Sequence, residues 1–137
     1  MREMLPLLET LTGEVRAGRP AALCAVVGTK GSVPQVPGSC MILRSDGQTE
    51  GTVGGGYVEA QVCKRASALL KQGKSALLRF TLDESCGSDE GAICGGSMDV
   101  AVQSVSDAAR LEPIERAVED LREDRYLQAG QPCSRHC

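Results

Sequence analysis

The first apolar positions of the chain repeat with helical spacing. Four of them lie three or four residues apart and so share one face of a helix: Met4, Leu8, Leu11 and Val15. Gly18 is a suitable C-terminal stop for this helix. The continuous apolar run at 21–27 is typical of a strand that is covered on both faces. The amino-terminal part therefore predicts a helix followed by a buried strand.

The next apolar segments have the spacing of a β-hairpin. Residues 40–44 (CMILR) predict a strand, and the pair Asp46-Gly47 is typical of a tight hairpin turn. A short strand is expected at about 50–53. The segment 28–39 separates the hairpin from the first strand, and its three glycines and two prolines interrupt regular structure.

A second helix and two more strands are predicted after the hairpin. The helix ends at Gly73, and its inward positions are Val58, Val62, Ala66 and Leu69. Residues 76–82 predict a strand. Residues 97–105 alternate between apolar and polar positions, with an apolar face formed by Met98, Val100 and Val102. The segment 83–96 between these strands is long for a simple connection.

The carboxyl-terminal part predicts one more helix. Pro113 suits its first turn, its span is about 113–127, and the tail at 128–137 is predicted to be frayed. The whole pattern predicts an α/β or α+β fold in which a mixed β-sheet of about five strands is covered by about three helices. It forms a single domain over 1–137, with a motif-bearing core at about 20–104, and the strand order is left open.

The amino-acid composition of the chain limits the classes of partner that it is expected to bind. The chain of 137 residues has a net charge of −3, no Trp, one Phe and two Tyr. It therefore lacks both the aromatic platforms and the positive charge that nucleic-acid binding uses. No apolar stretch reaches the roughly 20 residues of a membrane span. Seven cysteines without a framework spacing favour a reducing compartment. We expect a cytoplasmic protein that binds neither nucleic acid nor membrane.

Three consecutive glycines stand between a predicted strand and a predicted helix: Gly54, Gly55 and Gly56. Backbone N–H groups at a helix N-terminus attract anions, and glycine lets a ligand approach the backbone. The same glycines also suit tight packing of the strand against the helix, and Glu59 suits a favourable helix start. The known phosphate-binding motifs do not match this spacing. Both interpretations stay open.

Two further glycine-bearing segments follow predicted strands, so that three such segments are expected at one rim of the sheet. The relevant stretches are VVGTKGSVPQVPGSCMILRSDGQTEGTVGGGYVEA (26–60), RFTLDES (79–85) and DEGAICGGSMDV (89–100). Their ordered motifs are GS-x-P, G-T-hydrophobic-GGG with a following Glu, and DEG with a following CGG. Over roughly residues 20–103 they resemble the N-terminal domain of the XdhC/CoxI accessory-protein family.

The resemblance implies a molybdenum-cofactor chaperone. Members of the family assist xanthine dehydrogenase and related molybdenum hydroxylases, and the resemblance implies that the chain binds the molybdenum cofactor (molybdopterin) transiently, favours its sulfuration and delivers it to the apo-enzyme. The implied partners are an apo molybdenum hydroxylase, a cysteine desulfurase-type sulfur donor and a separate dinucleotide-binding-like domain, because many members continue into such a domain. A homodimer is expected as well, since the apolar face of the first helix can be hidden between subunits.

By the same resemblance, three groups of residues would form the cofactor site. They are Gly31, Ser32 and Pro34; Gly54, Gly55, Gly56 and Glu59; and Glu90, Cys94, Gly95 and Gly96. The negative charge of the cofactor would be balanced by Lys30, Arg44 and Lys64. Two positions depart from the family pattern: Gln35 stands where a basic residue is common, and Tyr57 where a cysteine is common.

The cysteines divide into buried and candidate functional thiols. Cys94 is a candidate molybdenum ligand or sulfur carrier, although nearby carboxylates tend to raise the pKa of its thiol and slow nucleophilic chemistry. No catalytic role is implied for the other residues, so a carrier is favoured over an enzyme. Two alternatives stay open: a small thiol-dependent sulfurtransferase that uses Cys94, and a non-catalytic assembly subunit. The thiols expected to be structural are Cys24, Cys40 and Cys63.

Overall fold

The computed structural model describes residues 4–31, 38–82 and 96–130. The elements are α1 (Met4–Arg16), β1 (Ala21–Lys30), β2 (Cys40–Arg44), β3 (Thr49–Gly51), α2 (Gly56–Gln72), β4 (Ala76–Leu82), β5 (Gly96–Val105) and α3 (Ala108–Gly130). The strand order is β3-β2-β1-β5-β4. Five strands and three helices in one domain confirm the predicted fold class.

All neighbouring strands of this sheet run antiparallel, where a sheet of mixed direction was expected. The hairpin joins β2 to β3, while α2 carries the chain from one edge strand, β3, to the other edge strand, β4. Because the helices flank an antiparallel sheet and do not connect parallel neighbours, the architecture is α+β.

Helices cover both faces of the sheet. One face packs against α2, and this cluster includes Ala22, Cys24, Val26, Val58, Val62, Ala66, Met98, Val100 and Val102. The other face packs against α1 and α3, and this cluster includes Leu5, Leu8, Leu11, Val15, Ala21, Ile42, Val105, Leu111, Ile114 and Val118. Residues 21–26 of β1 alternate between the two clusters, whereas Val27 is exposed. The prediction that this strand is covered on both faces is therefore confirmed for residues 21–26.

Local signals correctly predict several element ends, although β1 continues to Lys30, beyond the predicted run 21–27, and β3 covers 49–51 and not 50–53. β2 and β4 begin and end at the predicted residues. Gly73 ends α2 in the left-handed conformation, with φ of 67°, and its N–H donates to the carbonyl oxygen of Leu70. Gly47, with φ of 92°, lies in the hairpin turn between β2 and β3.

The last helix begins five residues earlier than predicted, at Ala108 and not at Pro113. Asp107 caps its first turn, because its Oδ1 accepts the N–H of Arg110 at 3.0 Å. The side-chain cap thus starts the helix upstream of Pro113, which lies inside it. Although α3 is 23 residues long, no helix in the described ranges combines the length and apolar character needed to cross a membrane.

Candidate functional site

The strand register places the ends of three glycine-bearing segments at one end of the sheet. β1 ends here, because Lys30 pairs with Ser97 near the start of β5. β4 ends beside it, where Leu82 pairs with Gly96. β3 ends towards the same side, since Gly51 pairs with Met41 at the start of β2. The segments after β1, after β3 and before β5 therefore all leave the sheet at this end.

The glycine turn, residues 52–56, links β3 to α2 at this end. Its three glycines all have positive φ, 126° at Gly54, 72° at Gly55 and 59° at Gly56. With ψ of −175°, Gly55 occupies a region that is essentially restricted to glycine. A Cβ built on Gly55 would meet no atom of the described residues within 4 Å. Among these residues tight packing is therefore not the reason for glycine at 55: the backbone conformation requires it, and no described residue fills the space beside it.

Glu59, in the first turn of α2, accepts hydrogen bonds from residues of the glycine turn. Its Oε1 accepts the N–H groups of Val53 and Gly55, both at 3.1 Å, and the hydroxyl of Thr52 at 2.5 Å. The hydroxyl oxygen of Thr52 in turn accepts the N–H of Gly54 at 3.0 Å. The N–H groups of residues 53–55 are thus all satisfied inside the turn.

At the first turn of α2, no described residue accepts a hydrogen bond from the N–H of Gly56, Tyr57 or Val58. These are N–H groups that a helix N-terminus leaves without intrahelical partners, and they carry the positive end of the helix dipole. Tyr57 is exposed at the same place. An anion at this end of the sheet would therefore meet these donors and not those of residues 53–55.

The hydrogen bonds to Glu59 also change its acidity. Burial by itself raises the pKa of this carboxyl, but the hydrogen bonds from Thr52, Val53 and Gly55 favour the charged form and outweigh burial. The pKa of Glu59 is therefore lowered, and the side chain is a carboxylate at neutral pH.

Thr52 and Val53 were missed as members of this site. The signal for Thr52 is a hydroxyl two residues before Gly54, the spacing of an ST turn.

The three cations expected to balance the cofactor do not lie together. Lys30 is exposed at the glycine-bearing end of the sheet, and Lys64 is exposed on α2. Arg44 was wrongly assigned to the site: it pairs with Ala21 at the opposite end of the sheet, and its guanidinium forms an ion pair with Glu50 at 3.2 Å. The sequence could not show this, because the direction of β2 relative to β1 is a tertiary property.

Several predicted site residues lie outside the described residues: Ser32, Pro34, Glu90, Cys94 and Gly95. Their roles stay predictions. Of the others, Gly31 has φ of 69° directly after β1, and Gly96 is buried at the first position of β5. In the part of the chain that is described, no group of three or more His, Cys, Asp or Glu side chains is arranged to hold a metal ion.

The described cysteines are unsuited to sulfur chemistry. Burial, with smaller contributions from Cys63 and Cys40, raises the pKa of the Cys24 thiol to about 12. Burial likewise raises the pKa of Cys40, while burial and the carboxylate of Glu59 raise that of Cys63. All three thiols are therefore protonated at neutral pH, as expected of structural cysteines.

Comparison with known proteins identifies relatives of this chain. The sequence profile of the XdhC and CoxI family matches residues 14–81, which include β1, the hairpin, the glycine turn, α2 and nearly all of β4. A protein named "Uncharacterized protein YqeB" from Escherichia coli (strain K12) is 32% identical over 83 residues, which are 61% of this chain and 15% of that protein.

A solved structure has the same fold. It is a chain described as a xanthine dehydrogenase from Bacillus halodurans, and it superposes with a TM-score of 0.70 at 23% identity. The superposition covers 92% of this chain and 35% of that chain. The chain thus corresponds to about a third of the solved relative and to a smaller part of the Escherichia coli protein.

Proposed function

Because the chain belongs to the XdhC and CoxI family, we propose that it binds the molybdenum cofactor (molybdopterin) as an accessory protein of molybdenum hydroxylases. In this role it assists sulfuration of the cofactor and its insertion into apo-enzymes of the xanthine dehydrogenase type. The proposed cofactor site is the glycine-bearing end of the sheet.

The glycine turn is the observation that carries this proposal. No described residue fills the space beside Gly55, and none of them accepts the N–H groups of Gly56, Tyr57 and Val58 in the first turn of α2. A phosphate, such as the one on molybdopterin, is stabilised by such donors and by the helix dipole. Lys30 at the same end of the sheet adds positive charge. The donor set therefore fits an anionic cofactor.

In this proposal the described residues hold and orient the cofactor and perform no covalent step. The cofactor itself supplies the molybdenum and sulfur chemistry once it reaches the hydroxylase. The protonated thiols of Cys24, Cys40 and Cys63 are poor nucleophiles, which supports a carrier over an enzyme. A sulfur-carrying role would depend on Cys94, and the experiment below includes it.

The proposed partners are an apo molybdenum hydroxylase, a cysteine desulfurase-type sulfur donor and a dinucleotide-binding-like domain, all in the cytoplasm. The larger size of the relatives supports a further domain, since this chain covers 35% of the solved one. The reason first given for a homodimer does not hold. Leu8, Leu11 and Val15 on the apolar face of α1 are buried within the domain against the sheet and α3. The homodimer itself stays a prediction.

The test is saturable binding of molybdenum cofactor released anaerobically from a donor enzyme. We expect the wild-type chain to bind and Gly55→Val to lose binding, because the β-branched valine strongly disfavours the backbone conformation of residue 55 and distorts the turn. Gly47→Val is the matched control: Gly47 also has positive φ and open surroundings, but it lies in the β2–β3 hairpin at the other end of the sheet.

Three outcomes decide between the candidate functions. Binding that survives Gly47→Val but not Gly55→Val supports the carrier. Cys94→Ser separates the carrier from a sulfurtransferase, because a carrier retains part of its cofactor binding in this variant and a sulfurtransferase loses sulfur transfer. A folded wild-type chain that binds no cofactor and transfers no sulfur would contradict both functions and leave an assembly subunit.

A further inference from the structure

We infer that Glu59 is a positioning residue of the proposed cofactor site: its carboxylate holds the glycine turn in shape and does not itself contact the cofactor. This replaces the direct cofactor contact that the family resemblance implies for Glu59. The positioning role rests on the proposed function. The contacts by which Glu59 shapes the turn do not, and they are measurable without any cofactor.

The hydrogen bonds of Glu59 tie the helix to the segment that leaves β3. Glu59 belongs to α2, whereas Thr52, Val53 and Gly55 precede the helix. One carboxylate oxygen accepts a hydrogen bond from each of these three residues. A single charged acceptor on α2 therefore binds three residues of the bend between β3 and α2. Hydrogen bonds to a charged acceptor are stronger than those to a neutral acceptor.

A glycine-rich bend needs such an acceptor. Glycine adopts the conformation of residue 55 without a steric penalty, but it also has access to many others, and ordering it costs more entropy than ordering any other residue. A sparsely populated backbone conformation persists only when the surrounding structure determines it. No other side chain among the described residues accepts the N–H of Val53 or Gly55. Glu59 thus determines the shape of the turn.

Charge also argues against direct contact between Glu59 and the cofactor. The carboxylate is ionised and would repel the phosphate of molybdopterin at contact distance. Its Oε1 is already used by three donors of the turn. Because the N–H groups of Val53 and Gly55 donate to Glu59, the N–H groups in the first turn of α2 are the ones that donate to the cofactor. Glu59 therefore affects cofactor binding by fixing the backbone of the glycine turn.

The first measurement is amide hydrogen exchange at Val53 and Gly55 in the cofactor-free protein. Glu59→Ala removes the acceptor, Glu59→Asp shortens it by one methylene group, and Glu59→Gln keeps a carbonyl oxygen at the same reach. Glu50→Gln is the matched control, because Glu50 is a carboxylate on the neighbouring β3 that bonds Thr10 and Arg44 and not the turn. Exchange at the buried residue Val100 in β5 is the internal reference for global stability.

We expect exchange at Val53 and Gly55 to rise roughly tenfold or more in Glu59→Ala and Glu59→Asp, as for loss of a hydrogen bond to a charged acceptor. Relative to Val100, Glu59→Gln stays within a few-fold of wild type, and Glu50→Gln is unchanged. Affinity for the molybdenum cofactor follows the same order, falling about tenfold in the Ala and Asp variants and largely surviving in Gln.

Each other outcome overturns a defined part of the inference. Unchanged exchange at Val53 and Gly55 in Glu59→Ala would show that Glu59 does not shape the turn. Loss of cofactor affinity in Glu59→Gln with the exchange protection intact would make Glu59 a direct ligand. Absence of cofactor binding by the wild type would refute the proposed function and with it the positioning role. The exchange result distinguishes these cases, because it is obtained without cofactor.

Discussion

Gly51 and Cys40 lie so close that no side chain fits between them. A Cβ built on Gly51 would be 2.5 Å from the carbonyl oxygen of Cys40, and the φ of Gly51 is 84°. Steric contact and backbone conformation therefore both require glycine at the end of β3. Gly55, four residues later, differs, because only its backbone conformation requires glycine.

We predict that Gly51→Ala lowers the free energy of unfolding by about 3 kcal/mol, because the new methyl group meets backbone and the conformation is strained. Urea unfolding measures this change. Gly13→Ala in α1 is the control, since its new methyl group meets nothing within 4 Å. That substitution should raise the free energy of unfolding by about 0.5–1 kcal/mol through helix propensity. Equal effects of the two substitutions would contradict the close approach.

At Gly55 the penalty should not depend on side-chain size. Gly55→Ala and Gly55→Leu should each lower the free energy of unfolding by about 1–3 kcal/mol, since both residues are forced into the same unfavourable backbone region and neither meets a neighbouring atom at Cβ. Thermal or urea unfolding of both variants checks this prediction. A much larger loss for the leucine variant would mean that the space beside Gly55 is closed.

The stabilising contribution of Glu59 should fade in acid. Its pKa in the folded protein is lowered from the usual 4.5, so the contribution is complete above the unfolded-state pKa and is lost as pH falls through the lower folded-state pKa. Glu59→Gln lacks this titration. The difference in unfolding free energy between wild type and variant should therefore be constant from neutral pH to about pH 5 and shrink below it. A difference that stays constant to about pH 3 would contradict the lowered pKa.

Cys24 should resist alkylation in the folded protein. Its pKa is raised to about 12 by burial and, less strongly, by Cys63 and Cys40, so almost no thiolate is present in mildly alkaline solution. Iodoacetamide labelling followed by mass spectrometry should modify the partly buried Cys63 before the fully buried Cys24, and should modify Cys24 only in denaturant. Labelling of both thiols at one rate without denaturant would refute the prediction.

Local patterns predicted those features that neighbouring residues determine. The alternation of Met98, Val100 and Val102 marked the buried face of β5, and Gly73 marked the end of α2. The predicted start of α3 at Pro113 is wrong, because the side chain of Asp107 caps the helix upstream of it. The cap is a local signal, so the sequence contains the correct start.

Local sequence patterns predicted only part of the candidate site. The glycine triplet and Glu59 were recognised, but two interpretations of the triplet remained open. Whether a Cβ at residue 55 meets another atom depends on residues that are distant along the chain. The same holds for Arg44, whose place at the opposite end of the sheet follows from its pairing with Ala21.

The sequence by itself determined the number and type of elements, several of their ends, the family motifs and the glycines of the hairpin turn and of the end of α2, because these depend on periodicity and on the conformational limits of single residues. The tertiary structure decided the strand order, the antiparallel pairing, the shared end of the three glycine segments and the hydrogen bonds of Glu59 across the turn. Ala25 illustrates the reason: it pairs with Cys40 on one side and with Ala101 on the other. Such pairings depend on which distant strands bury their apolar faces together, and no local pattern encodes that choice.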